Sequence, residues 1–282
     1  MAKGLARVRY GTSSWTAKGW SGTFYPPGTK PADQLAFYAT QFDTVEADTT
    51  YYRAPTTALA QGWARKTPAG FALAAKFPRA IVHGGDGEKP DASRVLVPRH
   101  AAPHTEQFLA AMAELGAKCG PLVLQFPYFN KSAFAELGPF LERLDAYLAA
   151  LPPSFRYAVE VRNKAWLVPQ LTDVLRRHRA ALVLVDLVYL PHPADVAKEL
   201  DVVTAEFSYA RLIGDRAAVE AHTTSFERIV LDQRARLSRW AEFLTALRER
   251  VIEIGVYANN HYAGHGPTTI RELRARVERG GA

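Results

Sequence analysis

The chain has 282 residues, of which 48% are hydrophobic and 22% charged, the balance of an ordinary soluble globular domain occupying residues 1–282. A single cysteine, Cys119, excludes an internal disulfide and any multi-cysteine metal or iron–sulfur site. No apolar run approaches the roughly 18 residues of a membrane span, and Met1-Ala-Lys-Gly-Leu-Ala-Arg7 lacks the apolar core of a signal peptide, which predicts a cytoplasmic protein with no membrane partner.

In chain order, short apolar runs predict strands at Val8–Thr12, Thr44–Ala47, Phe71–Ala75, Leu122–Phe126, Tyr157–Val161, Ala181–Val185, Tyr209–Ile213 and Ile252–Ala258. Helical spacing predicts helices at 32–41, 56–66, 105–115, 132–149, 166–178, 194–200, 231–250 and 268–279. Pro31 and Pro55 lie near first turns, Thr105 and Ser132 read as N-caps, and Thr268 has Glu272 nearby as a start signal. Leu237, Trp240, Ala241, Leu244 and Leu247 form one apolar helical stripe. Two segments interrupt the rhythm, 77–104 after the third strand and 188–205 after the sixth, and both read as long loops on the strand-exit side. Eight strand-then-helix units with right-handed crossovers give an open doubly wound sheet or a closed (β/α)8 barrel, and periodicity does not choose between them.

Nearly every strand ends in polar residues. A parallel strand buried on both faces has no use for charge, so charge at its exit serves something at that end. Residues two apart share a direction, which pairs Glu46 with Asp48, Glu160 with Arg162, and Tyr257 with Asn259. Lys76, Gln125, Asp186 and Arg211 extend the set, and Ser13 and Ser14 complete it at the first strand.

The ring reads in two ways. Four acids (Glu46, Asp48, Glu160, Asp186) and three bases (Lys76, Arg162, Arg211) nearly neutralise one another and could form a self-paired cap. Alternatively, Lys76, Arg162 and Arg211 hold a phosphate or carboxylate while Glu46, Glu160 or Asp186 acts as base, with Gln125, Asn259, Tyr257, Ser13 and Ser14 around the ligand. Trp15, Trp20 and Tyr25, in the loop after the first strand that also carries Lys18 and Lys30, would offer aromatic faces to a base or a sugar ring.

The cofactor is open. The eight histidines form no HEXXH, no His-X-His and no facial-triad spacing, which disfavours zinc. Mg²⁺ or Mn²⁺ on Glu46, Glu160 and Asp186 stays available, because hard cations need only carboxylates and water. Neither Gly-X-Gly-X-X-Gly, Walker A nor Gly-X-Ser-X-Gly occurs.

Lys and Arg outnumber Asp and Glu by 13 to 7 in residues 1–100, although the whole chain carries only +7. That excess suits an anionic partner such as nucleic acid or a phosphate-bearing small molecule.

Gly11-Thr-Ser-Ser-Trp15, Gly19-Trp20-Ser-Gly22, Phe24-Tyr25-Pro26, Phe42-Asp-Thr-Val-Glu46, Thr50-Tyr-Tyr52, Gln125-Phe-Pro127, Ala158-Val-Glu-Val-Arg162 with Trp166, Arg211-Leu-Ile-Gly-Asp215 and Tyr257-Ala-Asn-Asn260 run nearly the whole length. On these residues the chain resembles the YecE-like family, domain of unknown function 72. The resemblance implies a TIM barrel grouped with xylose-isomerase-like and endonuclease IV-like barrels, and it carries no established activity. The chain departs from the family pattern at Asp48, where relatives usually have Asn, and in the insertion after Lys76.

Three functions follow as expectations: a hydrolase-like enzyme on a phosphorylated or nucleic-acid substrate, a non-catalytic binder of nucleic acid or another anionic ligand, and, by fold analogy alone, a sugar isomerase or lyase.

Overall fold

The computed structural model describes residues 4–280. Eight strands, β1 (Arg7–Thr12), β2 (Thr44–Ala47), β3 (Ala72–Lys76), β4 (Cys119–Gln125), β5 (Tyr157–Glu160), β6 (Ala181–Leu187), β7 (Phe207–Gly214) and β8 (Glu253–Ala258), form one sheet in the order β1-β8-β7-β6-β5-β4-β3-β2. All seven ladders are parallel. The pairing of β8 with β1 separates this chain from an open doubly wound sheet, so the architecture is the (β/α)8 TIM barrel.

The helices are α1 (Pro31–Gln41), α2 (Thr57–Lys66), α3 (Arg79–Val82), α4 (Pro98–Ala113), α5 (Leu137–Ala150), α6 (Pro169–Arg177), α7 (Pro193–Glu199), α8 (Arg216–Glu220), α9 (Arg234–Leu247) and α10 (Gly266–Gly280). Among the described residues, no helix is long and apolar enough to cross a membrane. On α9, Leu237, Trp240, Ala241, Leu244 and Leu247 are all buried, as their spacing predicts.

Side chains close the seam between β1 and β2. The N–H groups of β1 that face away from β8 have no ladder partner on β2, and buried donors left unpaired are costly. Tyr10 N–H donates to Asp43 Oδ1 at 2.9 Å, and Thr12 N–H donates to the Tyr38 hydroxyl at 2.8 Å. Tyr38 in turn donates to the Thr44 carbonyl at 3.2 Å, so one α1 residue joins both strands. Gly11 is required here, because a Cβ would overlap the Thr44 carbonyl.

The barrel interior is a stack of layers. At the strand starts, Glu253 takes Arg9 Nε at 2.6 Å and Arg156 Nη1 at 2.7 Å. The middle is apolar and aromatic, with Ala74, Val123, Ala158, Val183, Tyr209 and Tyr257 in one cluster. Charge returns only at the strand exits, and the apolar floor beneath makes those charges depend on one another.

Three predicted start signals do not cap their helices. Thr105 is no N-cap: α4 begins at Pro98, and Thr105 sits within it, bonded to the Ala101 carbonyl and the Tyr147 hydroxyl. Ser132 also precedes its helix by several residues, since α5 begins at Leu137. Thr268 lies inside α10, and its N–H donates to His265 Nδ1. The first segment expected as a loop carries α3 and the first turns of α4, and the second holds α7, the helix predicted at 194–200.

Candidate functional site

Arg211 organises the barrel mouth. It leaves β7 at the interior parity, is 1% exposed, and spans the barrel between two carboxylates. Its Nη2 lies 2.9 Å from Glu46 Oε1 on β2, while Nη1 donates to Glu160 Oε2 on β5 and, at 2.8 Å, to Gln125 Oε1 on β4. Tyr209 adds a hydrogen bond to Glu46 Oε2 at 2.8 Å.

Burial pushes both carboxyl groups toward neutrality, but the cations win. Arg211 and then Lys76 hold Glu46 below the usual carboxylate range; Arg211 and then Arg162 do so for Glu160. Burial also works against the Arg211 charge, and Glu160 and Glu46 more than offset it, so this guanidinium stays protonated. Two buried carboxylates and one guanidinium leave the inner set with a formal charge of −1, which Lys76 and Arg162 outweigh from above.

Those two outer cations are less completely engaged. Lys76 Nζ is 3.6 Å from Glu46 Oε1, and its side chain is 10% exposed. Burial and then Arg211 lower its pKa, against the pull of Glu46 and Asp48. Arg162 donates from Nε to Glu160 Oε1 at 3.0 Å with its side chain 25% exposed, and among the described residues no ion pair engages its terminal nitrogens. Asp48 opens the 3-10 turn Asp48–Tyr51 after β2; burial raises its pKa and Lys76 opposes the shift.

The structure gathers Glu46, Lys76, Gln125, Glu160, Arg162 and Arg211 as the sequence pattern predicts, and it sends other candidates elsewhere. Asp186 points out of the back of the sheet. There it is fully buried against Arg236, Trp240 Nε1 at 2.8 Å and the Tyr262 hydroxyl at 2.9 Å. The reason is phase: Val185, not Asp186, pairs with Arg211 in the β6–β7 register, and Val183, Val185 and Leu187 fill the interior. Glu46, Glu160 and Asp186 therefore do not converge on one cation, and among the described residues no three His, Cys, Asp or Glu side chains do.

Tyr257 is also withdrawn from the mouth. It is 1% exposed, stacks on Tyr209 with ring centroids 4.6 Å apart, and bonds Thr44 Oγ1 through its hydroxyl. Trp20 and Tyr25 are buried beneath the first loop: Trp20 packs on Phe24 and donates to Asn260 Oδ1 at 3.2 Å, and the Tyr25 hydroxyl donates to the Trp15 carbonyl. Trp15 is half-buried, edge-on to Trp63. Trp20 and Tyr25 present no free face, because the loop after β1 needs its own apolar core. Cys119 opens β4, half-buried, with burial pushing its thiol up to about 11.

Ser13, Ser14 and Asn259 line a separate cleft of about 350 Å³ over the exits of β1 and β8, which Asp48 borders as well. The exposed aromatics are different residues from those nominated by the sequence. Tyr52, Tyr128 and Tyr189, in the loops after β2, β4 and β6, are 70%, 59% and 53% exposed. Tyr189 and Tyr51 lie near enough to Arg162 for its charge to oppose the rise that burial gives their hydroxyls. Their position after alternate strand exits was the available signal.

Eight parallel strands closed in a ring, with helices between them and a paired ion cluster at the strand exits, define the class: a (β/α)8 TIM barrel. Within that class, the chain belongs to the family described as protein of unknown function DUF72, whose model matches residues 9–282. It is 32% identical over 130 residues to the UPF0759 protein YecE of Escherichia coli K12, a match covering 46% of this chain and 41% of that relative, less than half the relative's length. Among solved structures it is similar to a DUF72 family protein of Thermotoga maritima, with a TM-score of 0.72 at 24% identity over 96% of this chain and 99% of the other. A DUF72 family protein of Enterococcus faecalis V583 gives 0.69 at 21% identity over 96% and 95%. The fold likeness extends to SacUVDE, at TM-score 0.54 and 8% identity over 98% and 100% of the two chains.

Proposed function

We propose that the barrel mouth binds a small ligand carrying a phosphate or carboxylate, with Arg162 and Lys76 as its anion holders. The observation that carries this reading is the Arg162 guanidinium, tied to Glu160 through Nε, 25% exposed beside Tyr189, and with no second carboxylate on it among the described residues. A guanidinium edge matches an oxyanion with two parallel hydrogen bonds, and Lys76 adds a point charge beside it. Arg211 is not a holder in this reading, because Glu46, Glu160 and Gln125 use its terminal nitrogens.

Turnover of a hydrolase-like kind on a phosphorylated or nucleic-acid substrate would pass its proton through Asp48 and Lys76. Their pKa values are drawn toward each other, whereas Glu46 and Glu160 are held ionised beneath them. Sugar isomerase or lyase chemistry has only the fold in its favour.

A second reading, non-catalytic binding of single-stranded nucleic acid, is favoured by the exposed Tyr52, Tyr128 and Tyr189 around the same mouth. Bases stack on such faces irrespective of sequence.

Thermal melting with inorganic phosphate, nucleotides, sugar phosphates and a short oligonucleotide tests both readings. A ligand at 100 times its Kd stabilises the folded state by about 2.7 kcal/mol. The first reading expects a rise in Tm with phosphate compounds that Arg162→Ala removes; no shift with any of them at millimolar concentration overturns it. Oligonucleotide affinity that does not change between low and moderate salt overturns the second.

A further inference from the structure

The cleft over β1 and β8 is not used by the anion holders. Its buried polar groups include Ser13, whose backbone N–H is spent on the Ala258 carbonyl and whose Oγ, on a residue only 2% exposed, has no hydrogen-bond partner among the described residues. A buried hydroxyl without a partner is costly, and one that lines a cleft can recover that cost from a ligand. Across the cleft, Asn259 Oδ1 accepts from the backbone and Nδ1 of His261, at 2.9 and 2.8 Å, which fixes the amide with Nδ2 on its other side. Asp48, Ser14 and Thr224 supply a carboxyl and two further hydroxyls.

One wall is apolar. Phe226 lines the cleft from a backbone with φ of 61°, a strained setting for a bulky side chain. Thr223 Oγ1 holds that turn by accepting from Ser225 N–H and Phe226 N–H at 3.2 and 3.3 Å. The lining therefore combines hydroxyl and amide groups with one carboxyl, the Lys18 ammonium, the His261 imidazole and the rings of Phe226 and Trp20, which suits the alternating hydroxyls and C–H face of a sugar. At about 350 Å³ the cleft has room for one such ring, near the lower end of about 300–1,000 Å³ found for ligand pockets.

Asp48 connects this cleft to the mouth. It lines the cleft and follows Glu46 by two residues, and Glu46 Oε1 lies 3.6 Å from Lys76 Nζ. We infer that the cleft holds the sugar end of a phosphorylated sugar whose phosphate sits on Arg162 and Lys76. The inference rests on the anion-binding reading and adds to it the class of ligand.

Isothermal titration of the full chain with inorganic phosphate, ribose 5-phosphate and glucose 6-phosphate tests it, on the native protein and on Ser13→Ala, Phe226→Ala and Arg162→Ala. At least one sugar phosphate should bind about 10-fold or more tighter than inorganic phosphate, the scale of a few added neutral hydrogen bonds. Ser13→Ala should fold with unchanged or higher Tm, since it removes an unpaired hydroxyl, and should weaken that sugar phosphate about 3- to 10-fold while leaving inorganic phosphate untouched. Phe226→Ala should show the same selectivity, which keeps the test independent of one variant's folding.

Equal affinity for phosphate and both sugar phosphates, or equal losses for all ligands in Ser13→Ala, overturns the sugar cleft and leaves the anion-binding reading standing. Failure of inorganic phosphate and both sugar phosphates to bind overturns the two together.

Discussion

Arg211 Nη2 and Glu46 Oε1 meet at 2.9 Å across the barrel, joining β7 to β2. The contact makes Arg211 the neutralising partner of two fully buried carboxylates, since the same guanidinium also binds Glu160. It divides the charged ring into an inner set that holds the fold and a second pair, Lys76 and Arg162, each held by one carboxylate of that set.

Replacing Arg211 with Met should therefore cost stability out of proportion to one hydrogen bond. Glu46 and Glu160 would remain as buried like charges, and breaking such a set costs about 3–5 kcal/mol. Urea denaturation at neutral pH measures the loss, and adding Glu46→Gln to the same variant should restore part of it.

Arg162→Ala should behave in the opposite way. Its side chain is 25% exposed and it contributes one ion pair to Glu160, so stability should fall by about 1 kcal/mol or less. The anion-induced rise in Tm should disappear. A variant that unfolds, or one that keeps the full ligand response, contradicts the division of roles.

The seam between β1 and β2 should depend on a single hydroxyl. Tyr38→Phe leaves Thr12 N–H without its acceptor and the Thr44 carbonyl without that donor, at a cost of roughly 1–3 kcal/mol. Hydrogen exchange at the Thr12 amide should accelerate more than at amides in the β7–β8 ladder.

Stability should fall between pH 6.5 and 4 through two buried histidines. Burial holds His192 and His265 down to about 4 against an ordinary value of 6.5. In that window the unfolded chain binds protons that the folded chain refuses, so stability decreases as pH falls and the penalty is complete below the folded values. Each contributes up to about 3 kcal/mol, at 1.36 kcal/mol per pH unit. Replacing His265 with Gln should flatten the urea midpoint against pH over this range.

The strand pattern was legible because parallel strands buried on both faces leave apolar runs, and all eight runs became strands. Glu46 and Glu160 were legible as mouth residues for the same reason: a charge on a two-sided buried strand has only the exit to serve. Asp186 was misread because β6 reads Ala-Leu-Val-Leu-Val before it, with no alternation to say which face is the interior. Trp20 and Tyr25 were misread because an aromatic beside lysines looks the same in sequence whether its ring is open or packed on Phe24.

By itself, then, the sequence determined the alternation of strands and helices, the resemblance to the family to which the chain belongs, and the set of charges at the strand exits. These are local properties, written in periodicity and in residue type. Only the tertiary structure decided that the sheet closes between β8 and β1, that Asp186 faces outward, that Arg211 is spent on Glu46 and Glu160, and that the Ser13 hydroxyl has no partner among the described residues. Those outcomes depend on register and on distances between residues far apart in the chain, to which no local pattern is sensitive.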